Sequence, residues 1–486
     1  MGMGLSAALS IAAGGLNNIN DQLATVSHNV ANAATQGYSL ETLPQESMTA
    51  GGVGMGVFTG VAQRQINTQM QADLFAQNAV VAGLQTTANA LQPIDAALGS
   101  PGQNNDLGSL LTGLQNAFST LANDPSNTVQ QAQVVSSAQQ LAAGINTLAN
   151  AYGTARQGAQ NDIVTSVGTL NTALATIGQL NQKIVAAQAA GQSTADLANQ
   201  RDAAMQTVSS LVPVKYIPQS NGSVLVATTS GLVLPTDGSG LTLSPPTMTM
   251  GPSAATGSAV LLGGVNVTSQ VTGGQIGADL TLRDTTIPTY QAGLDEFAKT
   301  LAGGFNAQGL ALFTNTAGIV PSVSPPPAQN GYVGFANQIT VNPAVAATPS
   351  LVRDGTGVTQ NPNNLAGFSG LITNVLKSTF AASPGAGVSG LGPSGTLSLP
   401  FTAPATLGAF ATDLTSTQSQ DAATAQSSLT TEQSLQSTLS TKLQAVNGVN
   451  VDSEMAQLVQ LQNAYSANAR IITAVQQMWT TLASIP

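Results

Sequence analysis

Two long stretches, one at each end of the chain, carry apolar residues at the spacing of a helix seam and almost no charge. Near the start, Leu5, Leu9, Ala12, Leu16, Ile19, Leu23, Val26 and Val30 alternate steps of four and three, with Asp21 as the lone charge among them. That is the 3.5-residue repeat of a coiled-coil seam. Near the end, Leu458, Leu461, Tyr465, Asn468, Ile472, Val475, Trp479 and Leu482 repeat steps of three and four. Asp452 and Glu454 fall in the first turn of this second helix, where the helix dipole favours them, and Asn450 or Asp452 can cap it after Gly448 ends the helix before. Isolated helices of this kind are marginal in water and gain their stability from burying a face. The two stripes are therefore expected to pair, which forces everything between them into a nested insertion. Gly14-Gly15 is the weak point expected in the first helix.

Between the ends a second helical tier can be read. Leu74, Val81, Leu84, Leu91 and Leu98 mark a helix over 70–99 with a kink expected at Pro93. Helices over 110–122 and 127–152 are separated by the breaker "NDPSN", and Ile163, Val167, Leu170, Leu174, Ile177 and Ile184 mark another, followed by 193–211. A polar helix returns over 408–446. From Pro213 to about Pro400 the composition changes to Gly, Pro, Thr and Val, with strand-like runs "SVLVATTSGLVL" and "NQITVNPAV" and loops "LSPPTMTMGP" and "SVSPPPAQNG". One helix interrupts it, carrying Ile287, Tyr290, Leu294, Phe297, Leu301 and Phe305. The fold class is α+β and multidomain: terminal helices paired like a coiled coil, a helical-bundle tier, and a central β-rich insertion. The divisions are 1–69 with 447–486 (terminal assembly domain with a joint), 70–211 with 273–312 and 401–446 (helical bundle), and 212–272 with 313–400 (β-rich outer domain).

The composition narrows the function. Only 7% of the 486 residues are charged, against about 25% in an ordinary soluble domain, so Asn, Gln, Ser, Thr and Ala cover the surface. Such a surface is cheap to bury against other protein, and helices uncharged on their outward faces suit a polymer wall. Net charge is −10 with the basic residues scattered singly, which argues against nucleic acid. Without cysteine and with one histidine, thiolate metal sites, cysteine nucleophiles, the usual zinc constellations and Ser-His-Asp triads cannot be assembled. An enzyme would have to work with carboxylates alone, mostly isolated in the sequence, and no enzyme, metal site or cofactor is expected. No membrane span and no secretory signal is read.

Local motifs add little chemistry. His28 in "SHNVANAATQGYS" reads as a residue of packing at a helix end. "GGVGMGVF", from Gly51 to Phe58, fails the glycine spacing of a phosphate loop and reads as a turn. "NQRD", from Asn199 to Asp202, reads as a solvated face or a local salt bridge, and the two sequons at Asn221 and Asn266 as chance.

The two chain ends resemble a known family. Ala31, Asn32, Thr35, Gly37 and Tyr38 match the signature that closes the first helix of bacterial flagellar rod, hook and hook-associated proteins, and "QNAYSANA" from Gln462 to Ala469 resembles the core of their last helix. "FSTLANDPSNTVQQAQVVSSAQQLAAGINTL", "DLANQRDAAMQTVSSLVPV" and "GQIGADLTLRDTTIPTYQAGLDEFAKTLAGGFNAQG" are similar to the internal helices of the hook-associated protein 1 family. The resemblance covers about 1–215, 273–345 and 405–486; Asn199 departs from the usual Asp, a change placed on a helix surface. It implies a structural junction subunit between hook and filament, extracellular, and exported by the type III route without a cleaved signal. Its implied partners are further copies in a ring, the hook protein, the second junction protein (hook-associated protein 3) and an export chaperone. A hook or rod subunit is the nearest rival; a secreted adhesin is another, but no internal repeat supports it.

Overall fold

In the computed structural model, residues 2–35, 37–50, 53–99, 103–254, 256–321, 332–357 and 360–484 are described. The N-terminal stripe folds as α1 (Gly2–Asn32), unbroken at Gly14-Gly15. Four short strands follow: β1 (Glu41–Thr42), β2 (Gln45–Ala50), β3 (Val53–Thr59) and β4 (Gln63–Arg64). β2 and β3 form an antiparallel hairpin, and β1 pairs with β4 across its base. The turn expected at Gly51 lies outside the described residues; Val53 onward is strand.

The helical tier is α2 (Thr68–Leu98), α3 (Leu107–Asn123), α4 (Thr128–Ala189) and α5 (Ala195–Leu211). α2 runs on through Pro93. Asp106 caps α3, its Oδ1 accepting the Ser109 amide. The two helices expected over 127–152 and 163–184 are one helix of 62 residues. The connecting "YGTARQGAQND" holds isolated glycines and no proline. Each glycine costs only about 1 kcal/mol in a helix, while Tyr152, Arg156, Gln160 and Ile163 along it are all buried. Burial on both sides outweighs the weak breakers.

The β-rich stretch consists of small antiparallel sheets: β5 (Val214–Pro218), β6 (Val224–Thr228) and β7 (Val233–Leu234) in one, β8 (Leu241–Ser244), β9 (Ala259–Leu262) and β10 (Val265–Asn266) in another. α6 (Gly274–Thr281) passes through a π-turn into α7 (Ile287–Ala307), whose six seam residues are all buried. β11 (Phe313–Thr314) pairs with β12 (Thr340–Val341). The strand read in "NQITVNPAV" stops there, because Asn342 caps and Pro343 opens a short helix, α8 (Pro343–Ala347). The loop "SVSPPPAQNG" lies outside the described residues. α9 (Leu351–Asp354), α10 (Gly370–Val375), the hairpin of β13 (Ser389–Leu391) and β14 (Leu397–Ser398), α11 (Leu407–Asn447) and α12 (Val451–Ala483) complete the chain.

The chain divides into two compact units, 1–81 with 169–240 and 432–486, and 82–168 with 241–431. The boundary at Gly240 assigns β5–β7 to the first and β8–β10 to the second. The second unit has an aromatic centre: Phe305 meets Phe118, Phe313 and Phe380 at ring distances of 5.5–5.6 Å. In the same unit Arg156 and Arg283 are buried among carbonyls. Arg156 donates to the carbonyls of Arg283, Gly251 and Ala254, and Arg283 to Asp284 and Gln160. These bonds replace the water the guanidinium groups lose and fasten the loop 245–258 to α4.

One buried acid in this unit is badly placed. Asp279 is 1% exposed, and its Oδ2 has no partner. Burial, with Asp162 nearby, raises its carboxyl from 3.8 to about 8. Between these values the unfolded chain is ionised while the folded one keeps its proton, so stability falls as pH rises through that window. Asp279→Asn keeps the shape and removes the ionisation. Its thermal midpoint should match the parent near pH 4 and exceed it by a margin that grows to pH 8; a margin independent of pH would mean burial of the acid is not the cause.

Candidate assembly site at the paired chain ends

α1 and α12 lie antiparallel along each other: Asn29 meets Glu454, and Gly15 faces Asn468. Ile19, Val26 and Leu461 form the buried centre of the seam, and Leu23, Val30 and Leu458 pack against it. Gly15 permits the approach, since a Cβ there would stand 3.1 Å from the Asn468 amide nitrogen. Ala12 and Val475 are buried, and Leu5, Leu16 and Ile472 half-buried. The remaining stripe residues are uncovered: Leu9 is 38% exposed, Tyr465 40% and Trp479 54%. The side chain of Leu482 lies outside the described residues. Apolar side chains also stand exposed at the flanks, Met455, Val459, Ile471 and Met478 on α12 and Met48, Met55, Val57 and Phe58 on the β2–β3 hairpin. The hairpin packs along α1, with Gly56 against Ile11. It was not read from the sequence, although "QESMTA" and "VGMGVFT" supply two strand-length runs around a glycine pair.

The motif residues shape the exit from α1. Asn32 turns its amide back to the His28 carbonyl and accepts from Thr35, whose own amide also bonds the Asn32 carbonyl. Gly37 takes φ +81°, the left-handed conformation that ends helices cheaply in glycine. Ala31 is exposed. Tyr38 then folds back, and its hydroxyl donates to Asn29 Oδ1 at 2.9 Å. Burial pushes the Tyr38 phenol well above its ordinary range, with Glu41, Asp196 and Glu454 adding to it, so it remains a donor.

Asn29 is the centre of this joint, and sequence reasoning missed it. It is 1% exposed. Its Oδ1 accepts the Glu41 amide (3.1 Å), and its Nδ2 donates to the Glu41 carbonyl (2.9 Å) and to Glu454 Oε2 (3.0 Å). One side chain thus joins α1, the joint strand and α12. Its place three residues after Val26, on the flank of the stripe, was the available signal.

His28 sits in a charged setting. Its Nδ1 lies 3.1 Å from the Tyr38 hydroxyl and 3.7 Å from Glu41, and its Nε2 3.5 Å from Asp196. Reading it as packing alone is incomplete, because folding places Glu41 and the sequence-remote Asp196 beside it. Burial raises the Glu41 carboxyl, Asp196 adds to this, and His28 and Arg64 oppose it. These three are also the one group among the described residues whose side chains could together hold a metal.

The reading of "NQRD" as a solvated face or local pair is corrected. Arg201 and Asp202 are buried. Asp202 pairs with Arg64 at 2.7 Å, across 138 positions, and also accepts from Gln71. Arg201 donates to Asn181 and to the Gly222 carbonyl, and burial lowers its pKa. Asn199 is no idle surface residue either: it accepts from Arg64 at 3.1 Å and donates to Glu41 at 3.3 Å. Asn199 and Asp202 thus underlie the joint, while Arg201 turns to Asn181 and Gly222 and Gln200 is exposed.

Comparison with known proteins bears on this arrangement. The model described as "Flagellar hook-associated protein FlgK helical domain" matches residues 91–318, and that of the flagellar basal body rod FlgEFG protein C-terminal region matches 445–485. Flagellar hook-associated protein 1 of Bacillus subtilis is 25% identical over 43% of this chain and 44% of its own length. Its namesake in Salmonella typhimurium is 27% identical over 63% of this chain and 56% of its own. That of Escherichia coli is 24% identical over 99% of this chain and its whole length. The chain therefore spans about half the length of the first two relatives and all of the third. Among solved structures, the flagellar hook junction protein FlgK from Burkholderia pseudomallei is 23% identical, covering 52% of this chain and 46% of that one with a TM-score of 0.41.

Removing Asn29 tests the joint. Asn29→Ala leaves the Glu41 amide and carbonyl buried without partners, at about 1–3 kcal/mol for each lost bond. Hydrogen exchange at the Glu41 amide should accelerate and the first unit should unfold earlier. Exchange at the parental rate would mean the joint is held elsewhere.

Proposed function

We propose, from the premise that the chain belongs to the flagellar hook-associated protein 1 family, that it is a structural subunit of the junction between hook and filament, assembled through its paired terminal helices. The family is structural and not enzymatic, and no helix among the described residues is long and apolar enough to cross a membrane. The observation that carries the reading is the incompletely covered seam. α1 and α12 cover each other at Ile19, Val26 and Leu461 and leave Leu9, Tyr465 and Trp479 open. Met455, Val459, Ile471 and Met478 are exposed on the same helix, and apolar side chains uncovered in this number along one pair of helices suit burial against a partner. Further copies of the subunit in a ring are that partner, with the hook protein below and the second junction protein above. Export unfolded through the type III route, with a chaperone, and an extracellular place follow from the same reading. Residues 1–69 and 447–486 serve as the assembly domain, 70–211 with 273–312 and 401–446 as the bundle, and 212–272 with 313–400 as the outer part. A hook or rod subunit would share the paired ends; the match over 91–318 to a hook-associated helical domain favours the junction.

Complementation of a deletion strain tests the seam. Leu461→Asp buries an unpaired carboxylate among Ile19 and Val26, costing about 3–5 kcal/mol. The expected phenotype is hooks without filaments and flagellin lost to the medium, while the second unit of the purified protein keeps its fold. Normal swimming would remove the seam from the proposal. The single tryptophan gives a second measurement. Trp479 should emit red-shifted and be readily quenched in the free subunit, then shift to the blue with reduced quencher access on purified hooks. An unchanged spectrum would place Trp479 outside the assembly contacts.

A further inference from the structure

Three times in this chain an arginine is followed directly by an aspartate: Arg201 and Asp202, Arg283 and Asp284, Arg353 and Asp354. In the second and third pairs, the guanidinium edge made by Nε and Nη2 grips both oxygens of the neighbouring carboxylate at 2.6–2.8 Å. At Arg201 that edge is open, because Asp202 turns instead to Arg64 and Gln71. Nη1 of Arg201 is held by Asn181 and the Gly222 carbonyl, but Nε is buried without an acceptor. Nη2 makes no hydrogen bond among the described residues. The residue is 8% exposed, so little water reaches it to replace the missing carboxylate. Arg201 borders a groove of about 1040 Å³ that lies wholly within the first unit, between the segment 61–68, the start of α2, α5 and β5.

Every residue of β5 lines this groove. Side chains alternate between the two faces of a strand, so a groove that meets each residue in turn runs along the strand's edge. β5 is the outer strand of its sheet and pairs with β6 alone. Gln219 donates to the Ser223 carbonyl and Thr229 to that of Pro213, so the odd-numbered residues turn their backbone groups toward β6. Val214 and Tyr216 therefore point their N–H groups outward, and no backbone acceptor meets them among the described residues. Val61 and Ile217 stand exposed at the border, as do Ala72 and Ala76 of α2. Three basic side chains, Arg64, Arg201 and Lys215, border it against two acidic ones, in a chain of net charge −10. We propose that this groove binds an extended peptide of a partner protein, added as a further strand on the outer edge of β5, with an acidic side chain of the peptide on the open edge of Arg201. A small carboxylate would satisfy Arg201 alone, whereas a peptide meets the arginine and the strand edge together. Main-chain bonds to an unpaired edge supply affinity in such pairings, and the charged contact selects the sequence. None of the bordering residues belongs to α1 or α12, so the groove and the assembly seam stand or fall separately.

The experiment titrates the peptide acetyl-Thr-Val-Thr-Val-Glu-Val-Thr-amide, and its counterpart with Gln in place of Glu, into the full chain by calorimetry. Amide hydrogen exchange is followed with and without peptide. Two variants are compared, Arg201→Gln and Ala76→Trp, the latter filling the groove from an exposed position; circular dichroism confirms that each is folded. The expected result is saturable binding of one Glu peptide per chain, with the Gln peptide at least tenfold weaker. Arg201→Gln should abolish that difference, and Ala76→Trp should weaken both peptides. Exchange at the Val214 and Tyr216 amides should slow on binding, while Lys215 and Ile217, already bonded to β6, change little. No saturable binding at millimolar peptide, equal affinity of the two peptides for the parent, or unchanged exchange at Val214 and Tyr216 overturns the proposal. Decanoate is titrated in parallel: binding of decanoate without binding of peptide would assign the groove to a small amphiphile and overturn strand addition. Protection of the two amides that rises with protein concentration alone would assign it to a second copy of this chain, with the same consequence.

Discussion

A single amide side chain holds the joint of this protein together. Asn29 satisfies both polar groups of the Glu41 peptide, receives the Tyr38 hydroxyl and reaches Glu454 on the last helix. Without it the chain leaving α1 would have buried, unsatisfied backbone, and the two terminal helices would share only an apolar seam. Apolar seams tolerate sliding, whereas a buried polar contact fixes register, as buried asparagines do in coiled coils. The direction of the joint, the position of β1 against β4 and the approach of α5 through Asn199 all follow from that fixed point.

The scarcity of charge becomes intelligible once the few charges are located. Arg156, Arg201 and Arg283 are buried, and Arg64 is nearly so, each donating to carbonyls, amides or an acid brought from far along the chain. Lys299 pairs with the buried Glu296. The usual distribution, charge outside and none within, is partly inverted. Strong hydrogen-bonding groups clamp loops to helices inside each unit, and the outside is mostly amides, hydroxyls and apolar residues with few charges such as Lys183, Lys442 and Arg470.

Legibility in the sequence followed the range of the forces involved. The terminal stripes, α7 and the cap at Asn450 could be read because periodicity and capping are local. The unbroken α4 could not, since glycine's local cost was outweighed by burial that no local pattern reports. The joint was half legible: Gly37 and Tyr38 mark a helix exit, but the partners of Asn29, His28 and Asp202 lie between 9 and 425 positions away. Polar residues of that kind look like surface until the fold supplies their partners, which is why "NQRD" was misread.

The bond from Asn29 to Glu454 spans 425 positions, so it can form only after every intervening residue has been made. Contacts of such separation close late, because the entropy of bringing the ends together must be met first. The first helix must therefore wait, unpaired, for the last. A growing chain presents one stripe but never the paired face, so the buried centre of Ile19, Val26 and Leu461 cannot form until then. The topology thus acts as a timer: the paired face exists only once α12 has been made.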